Sequence, residues 1–528
     1  MHKFVKNRIE QILGRNIVLE RPKEKSMGHF STPVAFSLAK ELKKSPVSIA
    51  TDFAVLLQDE IFEKVEAING FLNFTMSTKF LDKYIKNSLV DEQNFARGEC
   101  KNQKILLEYI SANPTGPLHI GHARGAIFGD ALCRVGKHLG YDVKTEYYIN
   151  DAGAQMDLLG LSVYLAGRER ILQKETVYPE KYYRGEYLDD IAKLASEKFG
   201  RDVFEEGDNN SALAEFAKDE VLSIIKNDLE KAGIIFDNYV SEKSLYTKWN
   251  DTKSQLFSNG ALYENDGKIY LSSSVYGDDS DRVVVRENGE PTYLAGDIIY
   301  HNHKFQRDFD KFINIWGADH HGYIPRVKAA ISWLGHDSSR LEVLLSQMVA
   351  LLKDGEPYKM SKRAGNYVLM SDVVEEIGID ALRFIFLTKK SDSHMEFDVA
   401  SLKNNDSTNP VFYINYAHAR INQLFAKANL SVTDVLESSL DDVNEKSKNL
   451  AFEAMLLAWS LEDAFSKREM QKIVDYLFEL SAMIHRLYNE CKVLGESNQN
   501  GLLKIFAISA MSLRVGLSVL GIKAKEVM

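Results

Sequence analysis

The spacing of apolar residues changes repeatedly between positions 105 and 155, and it predicts a strand, a helix and a second strand. Residues 105–109 form a short apolar run, which is typical of a strand covered on both faces. Turn-forming residues fill 111–117, and from Leu118 apolar residues recur every three or four positions. Because 143–149 is strand-like again, the stretch predicts a βαβ unit with a loop at the carboxyl end of its first strand. Ligands of open parallel sheets usually bind at that end.

Patterns elsewhere in the chain predict further modules. Residues 1–98 combine helical periods, such as 31–42, with strand-like alternation after Gly70, and they predict a separate α/β module. From about residue 409, long helical periods predict an α-helical bundle. Charged amphipathic helices are expected over 180–194 and 212–231, and strands that return the chain to the sheet over 268–273, 282–286 and 312–316.

The chain has 528 residues, several times the length of a typical domain, so several domains are expected. The predicted fold class is α/β multidomain, with a Rossmann-type parallel-sheet domain, an N-terminal α/β module and a C-terminal α-helical bundle. The expected boundaries are 1–98 for the module, 99–155 for the first half of the sheet domain, 156–265 for an insertion, 266–375 for the second half, 376–408 for a linker and 409–528 for the bundle.

Composition narrows the class of protein. Hydrophobic content of 45% and charged content of 27% are ordinary for a globular protein, and the net charge of −10 argues mildly against a nucleic-acid partner. The three cysteines are far apart and form no C-x-x-C pair, so we expect no zinc site and a cytoplasmic location. The N-terminus lacks the apolar core of a signal peptide, and the apolar tract 502–522 is broken by Lys504 and Arg514, so no membrane partner is expected.

Two histidines mark the start of the predicted helix, in His119-Ile120-Gly121-His122. The first turn of a helix has free N–H groups and a partial positive charge, which attract phosphate. The histidines are three apart, so both rings face one side of that turn, and Gly121 lets a flat base approach the backbone. The alternative is chance, since composition alone gives an H-x-G-H with a probability of about 2%.

A second motif, Lys359-Met360-Ser361-Lys362, lies in a loop with Gly and Ser. Two lysines in such a loop are more often a solvated turn. In this order, however, the two motifs are similar to the two ATP-binding signatures of class I aminoacyl-tRNA synthetases. Further stretches resemble, in order, the landmarks of arginyl-tRNA synthetases: ISANPTGPLHIGHARGA, YINDAGAQ, PTYLAGDIIYH, GADHHGY, KMSKRAGN, DALRF and NPVFYINYAHARI.

The resemblance implies a class I catalytic domain that attaches L-arginine to its cognate tRNA through an arginyl-adenylate. It implies that tRNA is needed for arginine activation, and that Mg²⁺ accompanies ATP without a protein cage. In this family the N-terminal module contacts tRNA, the insertion lies near the acceptor end, the linker contacts the stem and the bundle binds the anticodon. A monomer is expected as well.

Residues of both motifs are expected to bind ATP. By resemblance, His119 and His122 bind phosphate oxygens, while Lys359 and Lys362 close over the pyrophosphate, and these four residues are the expected catalytic set. The expected ATP-binding set comprises Ala112, Asn113, Pro114, Thr115, Gly116, Pro117, Leu118, His119, Ile120, Gly121, His122, Lys359, Met360, Ser361 and Lys362.

An arginine substrate needs carboxylates that meet its planar guanidinium edge-on, where two hydrogen bonds form at once. Asp297 follows Tyr293 by four residues, so on a helix both face the same way. By resemblance these two bind the guanidinium, while Glu108 and Asn113 hold the α-amino group. The expected arginine-binding set is Glu108, Asn113, His119, Tyr293, Asp297 and Asp319. For each acid, the alternative is a surface charge or an internal Lys or Arg partner.

Contacts with tRNA are expected at two places by resemblance. Asn73 and Phe74 are candidates in the N-terminal module, and the alternative is that they are ordinary strand residues. Tyr413, Tyr416 and His418 are candidates in the bundle, because aromatic groups stack on unpaired bases. A helical aromatic stripe is nevertheless more often part of a core.

Other functions fit parts of the pattern. A class I synthetase for cysteine should have zinc-ligand cysteines, and one for glutamate should have cationic pocket residues. A small-molecule nucleotidyltransferase shares the H-x-G-H loop but is much shorter. A catalytically silent RNA-binding scaffold has no reason to keep both histidines and both lysines. The adjacent His320 and His321 point to different sides, which disfavours a metal site there.

Overall fold

The computed structural model describes residues 1–205, 210–358, 367–404, 406 and 408–528. The chain divides into two units. Unit 1 combines the two ends of the chain, Met1–Gly98 with Asn409–Arg468 and Lys472–Met528. Unit 2 contains Glu99–Thr408 and Glu469–Gln471.

The N-terminal part of unit 1 is a small α/β module. Its elements are α1 (His2–Leu13), β1 (Phe30–Thr32), α2 (Val34–Leu42), α3 (Pro46–Leu56), β2 (Phe62–Ile68), β3 (Phe71–Met76) and α4 (Thr78–Val90). The strands form an antiparallel sheet in the order β1-β3-β2. The helix expected over 31–42 begins only at Val34, because Ser31 and Thr32 pair with β3 instead.

Unit 2 begins with the predicted βαβ stretch. Its first elements are β4 (Lys104–Glu108), α5 (Ile120–His138), β5 (Asp142–Ile149), α6 (Ala154–Arg170), α7 (Glu186–Phe199), α8 (Asn210–Lys231), β6 (Asn238–Ser241), α9 (Glu242–Leu245) and α10 (Trp249–Ser258). The helix expected over 180–194 begins at Glu186. Strand β6 pairs with β5, so the sheet continues into the range for which an insertion is expected.

The second half of unit 2 contains two small sheets besides the main one. Its elements are β7 (Leu262–Asn265), β8 (Lys268–Leu271), β9 (Arg282–Val285), α11 (Tyr293–Phe305), β10 (Lys311–Gly317), α12 (Ile324–Trp333), β11 (Leu341–Ser346), β12 (Val349–Lys353), β13 (Glu356–Pro357), α13 (Met370–Ile377), α14 (Ile379–Phe386) and β14 (Met395–Asp398). The expectation that 268–273 and 282–286 rejoin the main sheet is wrong, because β7, β8 and β9 form a separate antiparallel sheet.

The main sheet of unit 2 is parallel, in the order β11-β10-β4-β5-β6. From β4 the chain moves to β5 on one side, and it later enters β10 on the other side. This reversal makes a crevice at the carboxyl ends of β4 and β10, where ligands bind in doubly wound folds. Ile105, Leu106 and Leu107 of β4 are all buried, as the apolar run predicts for a strand covered on both faces.

The C-terminal part of unit 1 consists of the helices α15 (Pro410–Ala428), α16 (Glu445–Ala454), α17 (Leu457–Lys467), α18 (Gln471–Glu490) and α19 (Gln499–Val519). They pack against the N-terminal module: His29 stacks on Phe452 at 4.1 Å between ring centroids, and Lys504 pairs with Asp82 at 2.5 Å. Among the described residues, α19 is long and apolar enough to cross a membrane, but 83% of its apolar window is buried inside the protein. It is therefore a core helix of the bundle, as the sequence predicts.

Candidate active site

A cavity of about 330 Å³ lies at the carboxyl edge of the parallel sheet. Three acids line it, namely Glu108 at the end of β4, Glu242 just after β6, and Asp297 on α11. Aromatic side chains complete much of its wall, including Tyr148, Tyr293, Tyr300, Trp316 and Tyr323. An acidic cavity with aromatic walls suits a cation that carries an apolar stem.

Asp297 and Tyr293 lie on the same helix and line the same cavity, in agreement with their spacing of four residues. Burial and the nearby carboxyls of Glu242 and Glu108 raise the pKa of Asp297 to about 8. Among the described residues, no hydrogen-bond donor or cation pairs with the Asp297 carboxyl. The acid is therefore mostly protonated at neutral pH, and a cation bound beside it would favour its ionised form.

Glu242 is the cavity acid that the sequence reasoning missed. Burial outweighs a hydrogen bond from Tyr246, at 3.3 Å, and raises the pKa of Glu242 to about 7. A Cβ at Gly296 would lie 2.3 Å from a Glu242 carboxylate oxygen, so only glycine allows this approach to α11. The sequence signal for Glu242 is its position directly after a strand, as for Glu108. That strand lies within residues 156–265, which the sequence predicts to be an insertion.

Glu108 already has partners inside the protein. One carboxylate oxygen accepts a hydrogen bond from Lys304 Nζ at 2.6 Å, and the other accepts one from Ser111 Oγ at 3.0 Å. Lys304 is completely buried and also donates to Asn314 Oδ1 at 2.8 Å. The sequence left open, for each acid, a pairing with an internal Lys or Arg instead of with arginine. Glu108 does pair with an internal lysine, and it also lines the cavity.

Three other predicted arginine-binding residues, Asn113, His119 and Asp319, are absent from the lining of this cavity. Asn113 is exposed on the loop between β4 and α5, where its carbonyl accepts a hydrogen bond from Thr115 N. The Asp319 side chain is 82% exposed, with His320 Nε2 at 3.7 Å. His320 itself lines the cavity. Their assignment to arginine binding stays a prediction.

His119 and His122 lie at the start of α5 with their rings stacked, 3.6 Å between centroids. Burial lowers the pKa of His119, and burial together with His119 lowers the pKa of His122 to about 3. Both rings are therefore neutral at pH 7. Because His119 Nδ1 accepts a hydrogen bond from Gly121 N at 3.1 Å, its proton lies on Nε2, which can donate to an anionic oxygen.

The predicted lysine motif, Lys359, Met360, Ser361 and Lys362, lies outside the described residues. The segment that follows it contacts the histidine motif. Tyr367 stacks on His119 with 5.3 Å between ring centroids, and Ile120 N donates to Val368 O at 2.9 Å. Met370 N likewise donates to Leu118 O at 2.9 Å. Residues 367–370, where the description of the chain resumes, therefore lie directly beside the two histidines.

The predicted tRNA contacts of unit 1 differ in exposure. Asn73 and Phe74 are buried in β3, which is the ordinary strand position left open as the alternative. His418 is buried, with Nδ1 2.9 Å from Lys525 O, and Tyr413 packs on Phe478 and His485. Tyr416 is exposed and stacks on Phe412. Of these five predicted contacts, Tyr416 is exposed, Tyr413 is half-buried and the other three are buried.

Three family profiles match successive parts of the chain. The profile of the catalytic domain of class I tRNA synthetases (R) matches residues 84–425. The arginyl tRNA synthetase N terminal domain matches residues 1–76, and the DALR anticodon binding domain matches residues 414–528. The first of these profiles alone spans more than half of the chain.

Relatives match over the full length. The arginine–tRNA ligase of Aliarcobacter butzleri is 61% identical over 529 residues, and that of Campylobacter curvus is 56% identical over 527 residues, with 100% of both chains covered in each case. A crystal structure from Campylobacter jejuni superposes with a TM-score of 0.83 at 55% identity, over 86% of this chain and 100% of that chain. The Thermus thermophilus arginyl-tRNA synthetase superposes with a TM-score of 0.79 at 20% identity, over 100% of both chains. The predicted fold class is confirmed.

Proposed function

Because the chain belongs to the arginyl-tRNA synthetase family, we infer that it catalyses the ATP-dependent aminoacylation of tRNA with arginine. The observation that carries this inference is the acidic cavity of Glu108, Glu242 and Asp297, adjoining the loop that leads from β4 to the two histidines. Family membership makes a synthetase for another amino acid and a small nucleotidyltransferase poor alternatives. A glutamate substrate would need cationic residues in the pocket, whereas Glu108, Glu242 and Asp297 line this cavity.

The proposed reaction has two steps. The carboxylate of arginine attacks the α-phosphate of ATP, an O–P bond forms, and pyrophosphate leaves. The 2′- or 3′-hydroxyl of the terminal tRNA adenosine then attacks the arginyl carbonyl, the bond from that carbonyl to AMP breaks, and AMP and the hydroxyl proton leave. No covalent enzyme intermediate is needed, so catalysis consists of positioning the reactants and stabilising charge on the transferring phosphate.

The histidines suit the first step as neutral donors. His119 Nε2–H would bind a phosphate oxygen, and His122 would act beside it. Lys359 and Lys362 are proposed to close over the pyrophosphate, which the contacts of Tyr367 and Val368 with the histidine motif support. Mg²⁺ would enter with ATP and be held mainly by phosphate and water oxygens.

Recognition of arginine is assigned to the cavity. We propose that the guanidinium pairs with Asp297 and Glu242, the two acids whose raised pKa values mark them as uncompensated. Tyr293 would cover the side chain. Glu108, Asn113 and Asp319 remain candidates for the α-amino group and the rim of the cavity.

Several further properties are proposed from the family. The N-terminal module and the C-terminal helices would bind tRNA, the helices at the anticodon, with Tyr416 as the exposed aromatic candidate. Arginine activation would require bound tRNA. The protein would act in the cytoplasm as a monomer, without a membrane partner.

The decisive experiment is an aminoacylation assay with each of the twenty amino acids and total tRNA. Only arginine should be attached, and only with ATP present. Exchange of pyrophosphate into ATP should depend on both arginine and tRNA. Attachment of a different amino acid would contradict the proposed function, and strong exchange without tRNA would contradict the proposed requirement for tRNA.

A further inference from the structure

Tyr187, the second residue of α7, contacts the loop that joins β4 to the histidine motif. Its hydroxyl donates a hydrogen bond to the Thr115 carbonyl at 2.7 Å. A Cβ at Gly116 would lie 3.3 Å from the same hydroxyl oxygen, so the absence of a side chain at Gly116 leaves room for the phenol. Tyr187 therefore holds the phosphate loop, defined here as residues 112–117, from a helix outside the parallel sheet.

The segment that carries Tyr187 is itself held in place. Tyr183 N donates to the Oγ of Ser162 at 2.9 Å, and this buried serine also donates to Leu158 O within α6. Burial raises the pKa of both Tyr183 and Tyr187. The backbone just before Tyr187 is thus fixed to α6, which supports the position of the Tyr187 hydroxyl at Thr115.

The other end of the phosphate loop is held from the sheet. The hydroxyl of Tyr147, a buried residue of β5, donates to Ala112 O at 2.9 Å. The two loop carbonyls at Ala112 and Thr115 are therefore both bound by tyrosine hydroxyls. Tyr147, which holds Ala112, belongs to the parallel sheet. Tyr187, which holds Thr115, belongs to the helices between β5 and β6.

We propose that Tyr187 is a positioning residue for ATP, which acts by fixing the Thr115 carbonyl and thereby the phosphate loop that precedes His119. Through this hydrogen bond, α7 contacts the phosphate loop directly. This inference rests on the proposed function for its ATP site. It adds a residue that neither sequence motif contains.

The test compares Tyr187→Phe with Tyr178→Phe in the full-length protein. Each change removes one hydroxyl from the same segment. Tyr178 lies in the connection between α6 and α7, where its hydroxyl donates to Glu169 at 2.6 Å and its ring packs on Tyr182, and neither contact involves the phosphate loop. The loss of one neutral hydrogen bond should weaken ATP binding by Tyr187→Phe by roughly two- to tenfold. ATP affinity is measured by isothermal titration calorimetry, and the KM values for ATP and arginine by aminoacylation.

We expect Tyr187→Phe to raise the Kd and KM for ATP with little change in the KM for arginine or in the thermal unfolding midpoint. Tyr178→Phe should match the wild type in all four. Unchanged ATP affinity in Tyr187→Phe would overturn the proposal, as would an equal loss in Tyr178→Phe. If the wild type binds ATP but attaches no arginine, the proposed function fails, while the ATP titrations still decide the role of Tyr187.

Discussion

Lys304 Nζ lies 2.6 Å from a carboxylate oxygen of Glu108, and both side chains are buried at the edge of the acidic cavity. The lysine neutralises one of the three acids that line this cavity. No cation of the described residues pairs with Asp297 or Glu242, and burial raises their carboxyl pKa values to about 8 and about 7. A cationic ligand would therefore favour the ionised form of both acids and pair with the charge that forms.

Removal of the buried lysine should destabilise unit 2. In Lys304→Met the Glu108 carboxylate would stay buried without its cation, and such losses cost about 3–5 kcal/mol of unfolding free energy. Chemical denaturation measures the change. Lys311→Met is the matched control, since Lys311 pairs with Glu342 at a partly exposed site where less than about 1 kcal/mol is expected. Equal losses of unfolding free energy in the two variants would show that the buried pair stabilises the protein no more than the partly exposed pair does.

Asp297→Asn should raise the KM for arginine by roughly 10- to 100-fold, because a charged hydrogen-bond partner of the guanidinium is lost. The KM for ATP should change little. Asp319→Asn changes the other candidate acid, whose side chain is largely exposed outside the cavity lining, and it should raise the arginine KM less than Asp297→Asn does. A large rise in the arginine KM for Asp319→Asn, with none for Asp297→Asn, would show that Asp319, and not Asp297, recognises arginine.

Arginine binding should strengthen as the pH rises through the raised carboxyl pKa of Asp297, about 8, because the guanidinium binds the ionised acid. The dissociation constant should fall by up to about tenfold per pH unit for each proton released. Calorimetry in buffers of different ionisation enthalpy counts those protons. Asp297→Asn should release fewer protons on binding arginine. An affinity of the wild type that does not change with pH would argue against the raised pKa of Asp297.

The same carboxyl predicts the sign of a stability change. The folded, arginine-free protein holds a proton on Asp297 up to its pKa of about 8, whereas the unfolded chain loses it near pH 4. Stability should therefore fall as the pH rises between these values. Thermal unfolding of wild type and Asp297→Asn across this range isolates the contribution, which should be absent from the variant.

Gly296→Ala should impair arginine binding without removing any charge. The added Cβ would lie 2.3 Å from a Glu242 carboxylate oxygen and 3.2 Å from the Tyr246 hydroxyl, so Glu242 must move. We expect a higher KM for arginine. Gly322→Ala is the control, because a Cβ there meets nothing within 4 Å. Wild-type kinetics in Gly296→Ala would show that the position of Glu242 does not matter.

Lys362→Ala should slow arginine activation while leaving arginine affinity nearly unchanged. Loss of a preorganised charge near the leaving pyrophosphate costs roughly 2–4 kcal/mol in the transition state. Single-turnover formation of arginyl-AMP in the presence of tRNA measures that step. An unaltered rate would remove Lys362 from the proposed catalytic set.

The sequence by itself determined the elements that depend on local patterns. The apolar run of β4, the period of α5 and the histidines at its start follow from residues close together in the chain. The spacing of four between Tyr293 and Asp297 likewise placed both on one face of α11. Short-range periodicity fixes such features because helix and strand geometry repeat over a few residues.

Only the tertiary structure decided which distant residues meet. The pairing of Lys304 with Glu108, the approach of Glu242 to Gly296 and the bond from Tyr187 to Thr115 each join separate elements. It also placed β8 and β9 beside β7 in a separate antiparallel sheet, although their local pattern suited the parallel sheet equally well. Such contacts depend on how elements pack and which charges become buried together, and no local period records either.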